Sequence, residues 1–129
     1  MGKRLQQAGL AFVFCWFAIG GIAHFALADA FLSIVPPGLP WRIEAVYISG
    51  VCELIGAVGL LFVAWRRRAG IGLFLLTLAV TPANIYMWQH ADLFPRVPES
   101  LLLARLGLQV LLLGLILWAT TPRARHIFR

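Results

Sequence analysis

Charge is what this sequence has least of. Only 12% of its residues are charged, and just five are acidic. Soluble domains carry about twice that share of charge. The chain is 61% hydrophobic, and its apolar residues fall in long blocks. A soluble fold is therefore excluded, and one integral membrane domain over residues 1–129 is expected. Cysteine is scarce as well. Cys15 and Cys52 form no CxxC, which excludes a disulfide scaffold and argues against a CxxC redox relay. There is no haem, flavin or iron–sulfur motif and no metal-ligand set, so no resident cofactor is expected. A net charge of +6 would suggest nucleic acid in a soluble chain. Here the basic residues flank apolar segments and describe membrane topology, so the lipid bilayer is the expected partner and nucleic acid is not.

Four apolar stretches are long enough to span, at about 8–27, 43–65, 69–88 and 101–120. A polar lead, Met1–Gln7, precedes the first. Ala28-Asp29-Ala30 resembles a signal-peptidase site, but the preceding apolar run exceeds the usual h-region, so retention of the first span is expected. Residues 29–42 form a connector with Pro36, Pro37 and Pro40, which forbid a continuous helix. Its apolar residues suit the membrane interface, with Trp41 at headgroup level. Tyr47, Trp65, Tyr86 and Trp88 also read as interface anchors, and the two cysteines as small packing residues. Arg66-Arg67-Arg68 ends the second span, and the third follows at once as an antiparallel hairpin. Pro82 should kink the third span and free the carbonyl of Leu78, which Thr81 or a neighbouring helix can relieve.

Charge placement orients the bundle. With both termini on one side, that side holds Lys3, Arg4, Arg66, Arg67, Arg68, Arg123, Arg125 and Arg129 and no acidic residue. The expected fold is all-α, an antiparallel bundle of four transmembrane helices with both termini cytoplasmic, in a bacterial inner membrane.

Glu53 is the one acidic residue deep in a span. A carboxylate there costs roughly 2.5–3.5 kcal/mol on insertion scales, which makes it a functional-site candidate. Ser49, Cys52, Gly56 and Gly59 are read with it as one broad face that a neighbouring helix approaches. Each other span carries its own polar or small stripe. The first has Gly20, Gly21 and His24, the third Thr77, Thr81 and Asn84, and the fourth Arg105 and Gln109. At about 1.5 Å per residue, Glu53 lies roughly 15 Å and Gln109 roughly 12 Å from the outer ends of their helices, with His24, Asn84 and Arg105 at roughly 5–10 Å. A polar intramembrane pocket of His24, Ser49, Glu53, Asn84, Arg105 and Gln109 follows, with Gly20, Gly21, Gly50, Gly56 and Gly59 as helix-packing positions. Glu53 is expected to contact His24 or Arg105. The plainer readings are that Arg105 snorkels and that Asn84 and Gln109 are interhelical glue.

The string GIAHFALADAFLSIVPPGLP, then VYISGVCELIGAVGLL, PAN in the third span and RLGLQ in the fourth, resembles the DoxX-like membrane proteins. The pattern maps onto His24, Pro36, Pro40, Ser49, Gly50, Glu53 and Gly56, with Arg105 and Gln109. The resemblance implies a four-helix membrane bundle. The family's namesake is a small subunit of a thiosulfate:quinone oxidoreductase, other relatives belong to redox or thiol-stress complexes, and distant animal relatives are receptor-assembly chaperones.

Three functions remain open on these grounds. One is a membrane subunit supporting quinone-linked or thiol/sulfur redox chemistry, itself without catalytic residues assigned. Quinone is then the ligand, and a redox partner protein or a second copy is the associate. Histidine and carboxylate suit proton exchange with a quinone oxygen. The others are a non-catalytic assembly or anchoring protein and a small proton-coupled transporter. A thiol enzyme of the vitamin K epoxide reductase kind lacks its paired cysteines here.

Overall fold

The computed structural model describes residues 2–122. Arg123, Arg125 and Arg129 of the orientation argument lie outside the described residues. The described chain is helical, with α1 at Gly2–Ala26, α2 at Ala28–Ile34, α3 at Arg42–Leu61, α4 at Arg66–Gln89 and α5 at Glu99–Thr120. A single 3-10 turn, Ala91–Leu93, lies between α4 and α5. The four long helices are apolar and long enough to cross a membrane. Their outward positions, such as Ile48, Val51, Ile55 and Val58, are exposed aliphatic side chains suited to lipid.

The long helices form a ring in the order α1, α3, α4, α5. Each neighbouring pair is antiparallel, as the touching residues show. Gly21 meets Gly50, and Gly20 meets Glu53. Gly56 lies against Leu73, and Gly59 against Ala69. Arg67 reaches Thr121 while Asn84 reaches Gln109. Gln6 donates to the carbonyls of Trp118 and Thr121, and Gly9 lies against Leu115 and Trp118. In every case numbering rises along one helix and falls along the other.

One end of the bundle is packed solid. Val13, Phe17, Ala57, Leu60, Leu73, Leu112 and Ile116 make its core. This is also the arginine end. Arg66 Nε donates to the carbonyl of Leu60 at 2.8 Å, and Arg67 Nη1 to Thr121 Oγ1 at 3.2 Å. These cations sit at the C-termini of α3 and α5, where the helix dipole favours them. The opposite end, where α2 packs on α3 and α4, is hollow.

Several boundaries differ from the sequence reading. The polar lead is the first turn and a half of α1, since nothing in it breaks a helix. Most of the connector's first half is helical as α2, because a proline at 36 restrains only the residue before it. Arg42 Nη2 closes that short helix by donating to the carbonyls of Leu32 at 3.0 Å and Val35 at 2.7 Å. Trp41, just outside α3, has φ 51°, a left-handed backbone that turns the chain into the helix. The second long helix stops at Leu61, with Phe62 extended, so residues 62–65 make the turn. The three arginines therefore open α4 instead of closing α3. α4 runs unbroken through Pro82. Thr81 donates to the carbonyl of Thr77 at 2.9 Å and so does not serve Leu78.

Candidate functional site

The α1–α3 wall is built on glycine. A Cβ at Gly21 would stand 3.1 Å from the Gly50 carbonyl, and one at Gly50 would stand 3.2 Å from the Gly21 carbonyl. Two backbones approach this closely only where both side chains are absent. Gly20 gives room to the carboxylate itself, since a Cβ there would lie 3.0 Å from Glu53 Oε2. The close crossing sets His24 and Glu53 side by side, with His24 Nδ1 at 3.5 Å from Glu53 Oε2. Both residues are buried.

His24 Nδ1 lies 2.8 Å from the Gly20 carbonyl. A carbonyl only accepts, so Nδ1 carries a hydrogen and is committed to that bond. Among the described residues no donor reaches Glu53 Oε2, although the atom is buried. The imidazole is held from its other side by α2, where Phe31 stacks on it with ring centroids 4.0 Å apart.

The α4–α5 wall is different in kind. Asn84 Nδ2 donates to Gln109 Oε1 at 2.6 Å, and Gln109 Nε2 donates to Thr81 Oγ1. Thr81 passes its hydroxyl hydrogen to Thr77 O, and Thr77 passes its own to Leu73 O at 2.8 Å. This is a neutral chain that satisfies itself. Arg105 is exposed at the rim, and its Nη1 stands 3.0 Å from Met87 Sδ.

Between the walls lies a cavity of about 500 Å³. Phe17, Thr77 and Leu112 form its floor above the packed core, and Phe31, Val35 and Pro36 roof it. α1 and α5 touch near the arginine end, through Gln6 and through Gly9 against Trp118. Towards the α2 end, the rim residues Trp16, Ile19 and Leu108 are exposed. The cavity therefore opens sideways between α1 and α5. It is mostly apolar with a few convergent polar groups, the usual make-up of a small-molecule site.

All six pocket residues expected from sequence line this one cavity: His24, Ser49, Glu53, Asn84, Arg105 and Gln109. Glu53 pairs with His24 and not with Arg105, which is occupied at Met87. The five packing glycines all face a neighbouring helix. Cys52 does not share the face of Glu53. It is exposed, because adjacent residues on a helix point about 100° apart. Cys15 is exposed too, so neither cysteine is a packing residue. Sequence reasoning missed Phe31 as the residue that holds His24; the apolarity of its connector was the available signal. It also missed Gly70, where a Cβ would collide with Thr120.

No curated protein and no solved structure matches the chain. Residues 13–123 match the family described as Domain of unknown function (DUF8561), which covers α1 from Val13 onward, the other three long helices and every residue lining the cavity. The chain belongs to that family.

Proposed function

We propose that this protein is a DoxX-like membrane subunit that binds a quinone in the cavity and exchanges protons with it on behalf of a partner oxidoreductase. The observation that carries the reading is Glu53 Oε2, which is buried at the cavity wall, lacks a hydrogen-bond partner among the described residues and lies 3.5 Å from a histidine. A buried carboxylate oxygen without a donor is costly unless something else supplies one. A quinol hydroxyl is such a donor. Glu53 can take the proton of that hydroxyl as the quinol is oxidised and return one as the quinone is reduced, with His24 set beside it. The chain offers no electron-carrying motif, so the electrons come from the partner protein.

Topology fits this role. On this reading the arginine end and both termini are cytoplasmic, as the positive-inside rule favours, and the cavity lies in the outer half of a bacterial inner membrane. Reporter fusions in the turn at residues 62–65 and after Arg129 both read cytoplasmic on this reading, and a periplasmic signal at either would refute it.

The function is tested by binding. Purified protein is titrated with 2,3-dimethoxy-5-methyl-benzoquinone, oxidised and reduced. The reduced form should bind, and Glu53→Gln should weaken it about tenfold or more, which is about 1.4 kcal/mol. No binding to the native protein, or equal binding to the variant, would overturn the proposal. The self-satisfied Asn84–Gln109–Thr81 chain favours a second reading, in which the polar core only fixes helix register in an assembly or anchoring protein. A Glu53→Gln strain without phenotype would favour it.

A further inference from the structure

We infer that the ligand is a long-chain amphiphile, an isoprenoid quinone, which enters from the lipid between α1 and α5 and leaves its chain in the furrow there. The inference rests on the proposed quinone site and adds where the rest of the molecule goes. A second, wholly apolar hollow of about 70 Å³ lies between these two helices, lined by Phe12, Trp16, Leu108, Leu111, Leu112 and Leu115. It shares Trp16, Leu108 and Leu112 with the main cavity, so the two adjoin. The direction of the furrow matters. From the shared residues it runs down α1 to Phe12 and along α5 to Leu115, away from the α2 end and toward the middle of the bundle.

This polarity is that of a lipid in one leaflet. The polar groups lie nearer the α2 end, beside Glu53 and His24, and the apolar trail leads toward the bilayer centre. A small polar solute would need a water-filled entrance, whereas the side opening is rimmed by exposed Trp16, Ile19 and Leu108. The residues that line only the furrow are apolar, with Leu111 71% exposed. A charged or hydrogen-bonding tail has no partner there. A phospholipid is disfavoured as occupant because the head end offers a carboxyl group, Glu53, facing inward, and the cavity's arginine, Arg105, only at the rim.

The experiment compares the chainless benzoquinone with the same ring bearing a decaprenyl chain, using native protein in nanodiscs. Leu111→Trp fills the furrow without entering the main cavity. The indole then competes with the chain for the furrow, so the long-chain quinone should bind about tenfold or more weakly, which is about 1.4 kcal/mol. The chainless ring should bind within about twofold of native. Val110→Trp, on an exposed face that lines neither hollow, should change neither. A decyl-chain quinone carrying a diazirine at its chain end should label Phe12, Leu111 or Leu115. Equal loss for both quinones in Leu111→Trp, no loss for either, or label spread over lipid-facing positions such as Val110 and Ile55 would overturn the inference while leaving the quinone site standing. Failure of native protein to bind either quinone overturns both. Displacement of the label by phosphatidylglycerol and not by quinol would assign the furrow to phospholipid and also overturn it.

Discussion

Gly50→Ala tests whether the α1–α3 crossing sets the site. A Cβ at position 50 would lie 2.7 Å from His24 Cβ, 2.9 Å from Phe25 Cε2 and 3.2 Å from the Gly21 carbonyl oxygen. Carbon atoms rest at about 3.5–4.0 Å, so the first contact is short by about 1 Å. The Phe25 ring is exposed and can swing away. His24 Cβ and the Gly21 carbonyl cannot, because both are fixed to the α1 backbone. α1 and α3 must therefore separate. Strain of this kind costs about 1–3 kcal/mol, and a backbone contact belongs at the upper end. Alanine in place of glycine returns about 1 kcal/mol of helix propensity, which leaves a net loss of about 2 kcal/mol. Gly114 is the internal control. Nothing lies within 4 Å of a Cβ built there, so Gly114→Ala should gain up to about 1 kcal/mol. Reversible unfolding in mixed detergent micelles measures the difference, expected at about 3 kcal/mol. The same separation draws His24 from Glu53, so quinol binding should fall in Gly50→Ala and not in Gly114→Ala. If the two variants unfold within about 0.5 kcal/mol of each other, the crossing is not close and the argument for a glycine-built site fails.

Other perturbations bear on the remaining contacts. His24→Ala should destabilise native protein by at least about 1 kcal/mol more than it destabilises Glu53→Gln, while Arg105→Ala should show coupling to Glu53 within about 0.5 kcal/mol of zero; a larger coupling to Arg105 than to His24 would contradict the pairing. A double-mutant cycle of Asn84→Ala with Gln109→Ala should give about 0.6–1.7 kcal/mol, the range for interhelical hydrogen bonds in membranes, and no coupling would dissolve the α4–α5 chain. Arg66→Ala removes the donor to Leu60 and should lower stability by about 0.3–1 kcal/mol in the same unfolding assay; an unchanged midpoint would show that the cap contributes nothing.

The convergence of four polar stripes was readable from sequence because helical spacing alone decides it. His24 falls three and four residues after Gly21 and Gly20, and Asn84 falls three after Thr81. Depth followed from the rise per residue, and both quantities survive small errors in helix ends. What was not legible depended on side-chain reach. Arg105 and His24 both lie at a depth suited to Glu53, and only the structure shows Arg105 turned to Met87. Cys52 was grouped with Glu53 by proximity in number, which on a helix separates two residues instead of joining them. α2 was hidden by its prolines, which mark the end of the segment and not its start. The C-terminal end of α3 was hidden by apolarity, since Phe62, Val63 and Ala64 continue the hydrophobic run after the helix has stopped.

The two walls of the cavity differ in how their polar groups are satisfied. In lipid no hydrophobic force drives helices together, so a hollow between them is tolerated only if the polar groups around it are satisfied. On the α4–α5 wall, each amide nitrogen and hydroxyl of the chain already donates to an acceptor within the protein. On the α1–α3 wall, the histidine's Nδ1 hydrogen goes to Gly20, and Glu53 Oε2 is left without a donor. A purely structural carboxylate would be cheaper as glutamine, or turned to Arg105, which lines the same cavity. Neither arrangement is present. Gly20 instead clears space at Oε2, Gly21 and Gly50 bring the imidazole to it, and Phe31 holds that ring from above. Three separate helices thus keep one acceptor bare and facing a volume large enough for a ring. That asymmetry fits a donor brought in with the ligand.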